Sequence, residues 1–334
     1  METPVSPVPS GPVRALLVVN PKATATNARD RDVIARALGS ELKVDVAETQ
    51  ARCHATDLAR EAAADGYDVV VALGGDGTVN EVVNGLLADG PRPDAPVLAV
   101  VPGGSANVFI RNLGSSRSPV EATSDLLDAL RAGRTQRIGV ARATITAADG
   151  TLTQRWFTFS AGLGFDAEVI GRVEQRRAGS GPASPALYAV TAARHFFLDM
   201  DRRHPTITLE VPGEEPVGPL AWAVVAKTDP WTYLGSRPVH ALPRASYERG
   251  LDLLAPRRLG TVRTLALVAR MLRPPREAVP RNNRWGRGPV ERHDLPELTL
   301  RTARPLALQV DGDYLGPVVS VTLTSAPAAL RVAV

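Results

Sequence analysis

The chain has 334 residues, of which 44% are hydrophobic and 22% are charged, a composition typical of folded globular domains. Two domains are expected at this length. No apolar run approaches the roughly 18 residues that a membrane-spanning helix requires. The net charge of +4 is modest, and no patch interleaves basic with aromatic residues, so nucleic acid is not an expected partner. The single cysteine, Cys53, excludes a disulfide within the chain and fits a reducing compartment.

Arginine supplies almost all of the positive charge, since only Lys22, Lys43 and Lys227 of the 39 basic residues are lysines. The chain has no Gly-Lys-Ser/Thr phosphate loop. Any phosphate would therefore be bound by arginine, by glycine-loop amides or by helix ends. Residues 1–12 are rich in Pro and Ser and lack an apolar core, which predicts a disordered lead-in and not a signal peptide.

Residues 13–133 alternate between strand and helix patterns. The predicted strands are Ala15–Val19, Lys43–Ala47, Val69–Leu73 and Val97–Val101, and the predicted helices are Asp30–Leu38, Thr56–Ala64, Thr78–Leu87, Ala106–Asn112 and Val120–Arg131. This alternation predicts an α/β domain with a doubly wound parallel sheet. Ligands of such sheets bind beyond the C-terminal ends of the strands.

Three loops follow the predicted strands at that edge. One contains Asn20, one contains Gly74–Thr78, and one contains Pro102–Ser105. Glycines between a strand and a helix let the backbone approach a polyanion and present N–H groups to it, and the helix N-terminus adds partial positive charge. An acid in such a loop, Asp76, is useful beside phosphates when it holds a metal or accepts a proton. The sequence therefore predicts a nucleotide site.

Residues 134–317 have a different pattern, in which strand-like segments follow one another. They are Arg137–Ile145, Trp156–Ser160, Thr206–Val211, Trp222–Ala226, Leu251–Ala255, Glu297–Arg301, Leu306–Val310 and, beyond residue 317, Val318–Leu323. Helices are predicted near Ala186–Phe197 and Val262–Met271, a hairpin turn at Ala148–Gly150, and a mobile linker at Leu272–His293. We expect an antiparallel β-sandwich domain here, with residues 318–334 as a candidate to complete the N-terminal sheet.

Several motifs occur in an order that resembles the diacylglycerol kinase catalytic-domain family, which includes soluble bacterial lipid kinases and the sphingosine kinases. They are Gly74-Gly-Asp-Gly-Thr-Val-Asn-Glu81, Pro102-Gly-Gly-Ser-Ala-Asn107 and Val310-Asp-Gly-Asp313, with further matches at Asn20-Pro21, Thr49, Ala161–Ala167 and Gly250–Asp252. The resemblance extends from Ala15 to Gly316. It implies transfer of the γ-phosphoryl group of ATP, with Mg²⁺, to the hydroxyl of diacylglycerol or a related lipid alcohol.

Phosphoryl transfer depends mainly on positioning and on neutralising phosphate charge. The residues that the resemblance assigns to ATP are Asn20, Thr49, Gly74, Gly75, Asp76, Gly77, Thr78, Val79, Asn80, Gly104, Ser105 and Asn107. The glycine amides would surround the phosphates, and the hydroxyls of Thr78 and Ser105 would donate further hydrogen bonds.

The resemblance implies that the base lies in the acidic turn, with Asp311 first and Asp313 second. Asp76 would then organise magnesium and phosphates, although in the sphingosine kinase branch its equivalent is read as the base. Without the upstream loops, Asp311–Asp313 would be interpreted as a hairpin turn. The family's structural magnesium site is reduced here to Asp252 and Glu248, because Arg249 replaces an acid.

A lipid substrate implies a cytoplasmic protein that touches the inner membrane surface transiently. The expected contact is Val262–Arg292, where apolar residues are flanked by arginines, although an ordinary amphipathic helix packed on the sandwich explains the pattern equally well. Two other functions stay open: an NAD-kinase-like phosphotransferase, since those enzymes also carry Gly-Gly-Asp-Gly-Thr, and a nucleotide-binding regulator without catalysis, since Val108 stands where many relatives carry an acid. The sequence does not indicate an oligomeric state.

Overall fold

The computed structural model describes residues 13–23, 27–177, 185–199, 201–275 and 288–334. The described chain divides into two compact units. The N-terminal unit contains the residues up to Ile138 together with Ala329–Val334, and the C-terminal unit contains Gly139–Ala328. The predicted lead-in of residues 1–12 and most of the predicted linker, residues 276–287, lie outside the described residues.

The N-terminal unit is a parallel α/β domain. Its strands are β1 (Arg14–Val19), β2 (Lys43–Glu48), β3 (Val69–Gly74) and β4 (Val97–Pro102), and its helices are α1 (Ala28–Gly39), α2 (His54–Ala64), α3 (Asp76–Leu86), α4 (Val108–Asn112) and α5 (Pro119–Arg131). The strand order is β2-β1-β3-β4, every pair is parallel, and Val332 adds a further parallel partner beside Leu98 of β4. The parallel core that the sequence predicts is therefore confirmed.

Side chains of the N-terminal sheet alternate between two buried faces. One face, with Leu17, Val71 and Ala99, packs against apolar residues of α1 and α5 in a single core cluster. Helices α2 and α3 pack against each other so closely that a Cβ at Gly85 would lie 2.3 Å from the carbonyl oxygen of Thr56. Burial on both faces explains why β1, β3 and β4 are mostly apolar, whereas the edge strand β2 is partly exposed and contains charged residues.

The C-terminal unit is built mainly from antiparallel strands. Its strands are β5 (Thr135–Ala147), β6 (Leu152–Phe157), β7 (Ser160–Leu163), β8 (Ile207–Glu210), β9 (Val217–Leu220), β10 (Ala223–Ala226), β11 (Thr232–Leu234), β12 (Arg237–Val239), β13 (Leu251–Ala255), β14 (Val290–Leu295), β15 (Glu297–Val310) and β16 (Asp313–Ala333). Its helices are α6 (Phe165–Arg177), α7 (Pro185–Arg194), a π-helical turn (His195–Asp199) and α8 (Thr261–Met271). The first residues of β5 and the last of β16 belong to the N-terminal unit.

Strands β14, β13, β10, β7, β15 and β16 are hydrogen-bonded neighbours in that order, and each pair is antiparallel. Alternation along β10 places Ala223 and Val225 in one core cluster and Val224 and Ala226 in another. The second cluster is covered partly by α8 through the buried Met271. Antiparallel pairing in the C-terminal region confirms the predicted fold class.

Three sequence predictions need correction. Helix α3 begins at Asp76, two residues before the predicted start, because Gly75 already takes the extended N-cap conformation. Val290–His293, predicted as mobile linker, belong to β14, where apolar Val290 packs in the core. The sequence pattern does not predict helix α6. Its run of charged residues hides the buried positions Ala167, Val169 and Val173 that attach it to the unit.

Candidate functional site

Three loops meet at the C-terminal edge of the parallel sheet. In the strand order β1 lies beside β3. From this pair the chain continues outward in opposite directions, from β1 to β2 on one side and from β3 to β4 on the other. Open α/β sheets bind ligands at such a position. The backbone N–H of Asn20, just after β1, donates to the carbonyl oxygen of Leu73 at 3.1 Å. Its side-chain Nδ2 donates to Oγ1 of Thr78 at 3.0 Å. Asn20 thus ties the first loop to the start of α3.

The two glycine loops contact each other through their backbones. The N–H of Gly103 donates to the carbonyl oxygen of Gly74 at 2.7 Å. A Cβ at Gly104 would lie 2.6 Å from Cα of Gly75, and a Cβ at Gly75 would lie 3.1 Å from Cα of Gly104. Side chains at either position would force the loops apart, so glycine is required by the close approach and not by an unusual dihedral angle.

Asn107 fixes the shape of the second glycine loop. Its Oδ1 accepts a hydrogen bond from the N–H of Gly104 at 2.9 Å, and its Nδ2 donates to the carbonyl oxygen of Gly104 at 2.8 Å. The residue is buried and adopts a left-handed conformation with φ of 47°, which asparagine tolerates better than most residues. Asn107 therefore shapes the loop instead of projecting from it.

Helix α3 directs its N-terminus at this edge. Gly75 is the N-cap, and no side chain caps the helix there. N–H groups in the first turn of a helix have no acceptor within the helix, and together with the helix dipole they attract anions. Gly75 and Gly77 leave the backbone accessible, since both are only partly buried. The arrangement can accept phosphate oxygens.

Asp76 has a structural contact that the sequence does not suggest. Its Oδ1 accepts a hydrogen bond from the N–H of Phe109 at 3.0 Å, so the carboxylate holds the first turn of α4 against the start of α3. The residue is partly buried. A substitution at Asp76 that removes this oxygen would therefore disturb the loop geometry in addition to any role beside phosphates or magnesium.

The remaining residues assigned to ATP differ in accessibility. Val79 and Asn80 are 2% and 0% exposed, and Asn80 is held by Nδ2 of Asn84 through its backbone and side-chain oxygens. Ser105 is exposed, and Thr49 is partly buried with its N–H bonded to Val19. Val79 and Asn80 can support the loop from within the core, whereas Ser105 is accessible to a ligand.

Glu81, the last residue of the first motif, was given no role from the sequence. Its carboxylate accepts hydrogen bonds from the N–H groups of Cys53 at 2.9 Å and Ala55 at 3.2 Å, so it caps the start of α2 from the neighbouring helix. Cys53 lacks a capping side chain and has φ of 67°, which shows why an external cap is needed. Glu81 therefore fixes α2 to α3.

Asp311, in the C-terminal unit, is held by four donors. Oδ2 accepts hydrogen bonds from the N–H and Oγ1 of Thr158 at 2.7 and 2.9 Å, and Oδ1 accepts from the N–H groups of Phe159 and Ser160 at 2.9 and 3.0 Å. The residue is 3% exposed and has φ of 48°. A carboxylate accepts about four hydrogen bonds. Asp311 is therefore saturated, as suits a residue that fixes a turn.

Asp313 lies two residues further and is more accessible. One oxygen pairs with the Arg155 guanidinium at 2.7 Å, and the side chains of Asp313 and Arg155 are 24% and 17% exposed. The contact comes from β6, which pairs with β5 and not with β16. Asp313 can therefore face a ligand while its orientation is set by one arginine.

The buried carboxyl of Asp166 contacts the same turn through Gln309. Nε2 of Gln309 donates to Oδ2 of Asp166 at 3.0 Å, and Oε1 of Gln309 accepts from the N–H of Gly312 at 2.9 Å. Burial raises the pKa of Asp166 to about 7, against the opposing effect of the Gln309 hydrogen bond. Oδ1 of Asp166 is buried without a hydrogen-bond partner among the described residues. The carboxyl is thus partly protonated near neutral pH.

The two residues assigned to a structural metal, Asp252 and Glu248, differ in burial and in hydrogen-bond partners. Asp252 is 1% exposed, and its oxygens contact Nδ1 of His293 at 2.7 Å and the N–H of Asp294 at 2.9 Å. Glu248 is exposed and accepts a hydrogen bond from Oγ of Ser246 at 2.7 Å. Within the described residues, no three His, Cys, Asp or Glu side chains are grouped so that they could hold a metal ion.

The nearby Lys227 is an uncommon buried lysine. It is 0% exposed, and burial lowers its pKa to about 8, against the opposing charges of Glu248, Asp294 and Asp252. Sequence reasoning gave it no role, because its position after an apolar strand does not distinguish it from a solvated residue.

Comparison with known proteins gives these residues a context. Residues 14–143 match the model of the diacylglycerol kinase catalytic domain. Diacylglycerol kinase of Bacillus subtilis (strain 168) is 46% identical over 71 residues, which are 21% of this chain and 22% of that protein. Sphingosine kinase 1 of Arabidopsis thaliana is 34% identical over 136 residues, 39% of this chain and 28% of that protein. The matched segments span less than a third of either relative.

Solved structures resemble the chain over most of its length. The crystal structure of a diacylglycerol kinase from Bacillus anthracis (strain Sterne) has a TM-score of 0.67 and covers 97% of this chain and 98% of that chain at 18% identity. Yeast NADH kinase complexed with NADH gives a TM-score of 0.50 at 12% identity, covering 97% of this chain and 83% of that chain. At these identities the likeness shows a shared fold.

Proposed function

We propose that this chain, which belongs to the diacylglycerol kinase family through the catalytic domain matched over residues 14–143, uses ATP to phosphorylate a lipid alcohol. The observation that carries the proposal is the backbone contact between the two glycine loops at the end of the parallel sheet. That contact brings the second loop against the N-cap of α3, whose N-terminus has no side-chain cap and suits the phosphates of a nucleotide. Diacylglycerol is the substrate that we expect first, because relatives named for it match part of this chain.

The N-terminal unit would bind the nucleotide. The backbone of Gly75, Gly77 and Gly104 would approach the phosphates. The hydrogen bond between Asn20 and Thr78 would hold the loop after β1 against the start of α3. Magnesium supplies charge neutralisation when it binds with ATP. A partly buried carboxylate at a helix N-terminus, Asp76, fits an ion held jointly by protein and phosphate oxygens.

The turn between β15 and β16 would supply the proton acceptor. In the reaction the substrate hydroxyl oxygen forms a bond to the γ-phosphorus, the bond from that phosphorus to the ADP oxygen breaks, and the hydroxyl proton passes to a carboxylate. We assign this role to Asp313, because all the acceptor positions of Asp311 are occupied by donors of residues 158–160. Asp311 would position Asp313, reversing the order that the resemblance suggested.

Helix α8 would provide the contact with the membrane. Three apolar residues of α8 occur at every third position and are exposed: Val262 by 81%, Leu265 by 59% and Val268 by 46%. Met271, the last residue of the same helix, is buried. Arg263, beside Val262, is exposed as well. An apolar stripe with basic neighbours suits a helix lying on an anionic lipid surface, so we propose that the protein acts in the cytoplasm, at the inner face of the membrane. Within the described residues, the helices are too short or too polar to cross a bilayer.

The decisive experiment follows the γ-phosphate. Purified protein is given labelled ATP and Mg²⁺ with diacylglycerol in mixed micelles, with NAD, or with neither. We expect label in the lipid phosphate alone. Label in NADP and none in lipid would establish the NAD-kinase-like alternative. ATP binding with no transfer to any of a panel of lipid alcohols would establish the nucleotide-binding regulator.

A further inference from the structure

Lys227 lies immediately after β10, within the C-terminal unit, and its side chain is completely buried. Its Nζ donates to the carbonyl oxygen of Tyr247 at 3.3 Å and to that of Arg249. Both carbonyls belong to the segment before β13, and that of Tyr247 accepts a second hydrogen bond from β5. The ammonium group therefore closes the end of that segment onto β10.

The backbone opposite makes room for this ammonium group. Gly139 on β5 has no side chain, and a Cβ there would lie 2.8 Å from Nζ of Lys227 and 2.5 Å from the carbonyl oxygen of Tyr247. The N–H of Gly139 also donates to that carbonyl at 3.0 Å. The cavity is thus shaped to a long side chain with a small cationic end, whereas the planar fork of arginine would not fit beside Gly139.

Negative groups surround the same place. Asp252 is the register partner of Ala226, the residue before Lys227, and its carboxylate contacts His293 and the N–H of Asp294. The carboxylate of Asp294 accepts from the N–H of Gly250 at 2.6 Å. The charges of Asp252, Asp294 and Glu248 all act on Lys227. Carbonyl oxygens and carboxylates are the donors that a hard divalent cation takes.

This arrangement does not fit the structural magnesium that the family resemblance implies at Glu248 and Asp252. Two backbone carbonyls that could bind an ion are already bonded to Nζ of Lys227. Asp252 is bonded to His293 and Asp294, and Glu248 is exposed and bonded to Ser246. We propose that Lys227 is a built-in cation that replaces a divalent ion at this position, so that the C-terminal unit folds without metal. The proposal is independent of the lipid kinase assignment.

The first test uses the wild-type protein without nucleotide. Elemental analysis after gel filtration should find less than one tenth of an equivalent of Mg²⁺, Ca²⁺ or Mn²⁺ per chain, and the Tm should be the same in EDTA as in 10 mM Mg²⁺. Stoichiometric metal in the purified protein, or a Tm that falls in EDTA, would overturn the proposal.

The second test removes the ammonium group. In Lys227→Ala the carbonyls of Tyr247 and Arg249 and the nearby carboxylates lose their cation, so the Tm should fall by several degrees and then rise on addition of Mg²⁺ or Ca²⁺. Lys43→Ala is the matched control, because Lys43 is exposed at the edge of the parallel sheet and should behave as wild type. A Lys227→Ala protein as stable as wild type in EDTA would overturn the proposal. If that variant does not fold, the metal content and EDTA response of the wild type decide.

Discussion

The two units hold their candidate residues in different ways. In the N-terminal unit the loops touch backbone to backbone, at Gly75 and Gly104, over a chain separation of about thirty residues. In the C-terminal unit Asp311 is held by the N–H groups of Phe159 and Ser160, about 150 residues away. A backbone contact requires one residue type, glycine, at fixed places beside a strand. A carboxylate held by N–H groups requires only donors, which the backbone of any residue except proline supplies, so this kind of contact leaves little trace in the sequence.

The largest effect should come from a side chain placed between the glycine loops. In Gly104→Ala the new Cβ would lie 2.6 Å from Cα of Gly75, so the loops must separate, and Gly75→Asp adds negative charge to the same contact. Both variants should lose ATP binding and all measurable activity while circular dichroism stays unchanged. Gly39→Ala, where a Cβ meets nothing within 4 Å, should keep both properties. Normal ATP affinity in Gly75→Asp would remove this loop from the phosphate site.

The second largest effect separates the two acids of the turn. Asp313→Asn removes the assigned base and should lower kcat by about a hundredfold or more, with ATP affinity unchanged and only a small fall in Tm, because the amide oxygen can still accept a hydrogen bond from Arg155. Asp311→Asn replaces one acceptor of two N–H or O–H groups by an amide donor, so its Tm should fall as well. The pH profile of kcat distinguishes the two roles, since only loss of the base should remove its acidic limb. Full turnover in Asp313→Asn, with Asp311→Asn inactive but as stable as wild type, would return the role of base to Asp311.

The same comparison can be extended to Asp76, whose carboxylate caps α4 through the N–H of Phe109. Asp76→Asn keeps an oxygen for that hydrogen bond but loses its charge. We therefore expect a higher Mg²⁺ requirement with nearly unchanged Tm, measured as the Mg²⁺ concentration for half-maximal activity. An inactive Asp76→Asn with an unchanged Mg²⁺ response would instead identify Asp76 as the base.

A smaller effect is expected for the exposed face of α8. Replacing Val262, Leu265 and Val268 by Ser should reduce binding to vesicles with anionic lipid by about tenfold, since each partly inserted apolar side chain contributes on the order of 0.5 kcal/mol and about 1.4 kcal/mol is a factor of ten. Activity on a short-chain substrate dispersed without vesicles should not change. The matched control replaces Val33, Val120 and Leu152, which are exposed but scattered, by Ser. Equal vesicle binding by both triple variants would exclude α8 as the contact.

The smallest effect concerns Asp166, the buried carboxyl that contacts the turn between β15 and β16 through Gln309. Because the pKa of Asp166 is raised from 3.8 to about 7, the folded protein binds more protons than the unfolded chain between those pH values. The contribution of Asp166 to stability is therefore fully present below about pH 4 and is lost as the pH rises toward 7. Asp166→Asn, which mimics the neutral form, should match wild type in Tm at pH 4 and exceed it by a few degrees at pH 8.

Asp125→Asn is the control for this measurement, because Asp125 is exposed on α5 and should leave the pH course of wild type unchanged. A difference between Asp166→Asn and wild type that is the same at pH 4 and pH 8 would show that Asp166 does not titrate in this range.

Features that depend on neighbouring residues in the chain can be predicted from the sequence, whereas contacts between distant residues cannot. The buried strands β1, β3 and β4 are apolar apart from Arg14 at the start of β1, and glycines mark the loops after two of them, so the parallel sheet and the edge where those loops meet could be predicted. The role of Glu81 could not, because it caps α2 through the N–H of Cys53, which lies 28 residues earlier in the chain. Nor could the cradle of Asp311, since an Asp-Gly pair predicts a turn without indicating which distant N–H groups hold it.

The burial of Lys227 also could not be predicted from the sequence. A lysine after an apolar strand is expected in water, and its burial depends on Gly139 in another strand and on two carbonyls before β13. The family resemblance indicates metal ligands at Glu248 and Asp252, because acids are visible in a sequence and backbone carbonyls are not. That assignment of residues remains a prediction, which the metal analysis will test.

The course of β16 has a consequence for how the protein forms during translation. This strand starts at Asp313 in the C-terminal unit, yet Val332 pairs with Leu98 and Ala333 packs in the core of the N-terminal unit. The nascent N-terminal unit must therefore wait, with one edge of its sheet uncovered, until residue 333 has left the ribosome. Synthesis of some 200 residues at about 5–20 residues per second takes at least 10 s, long enough for a chaperone to bind that edge.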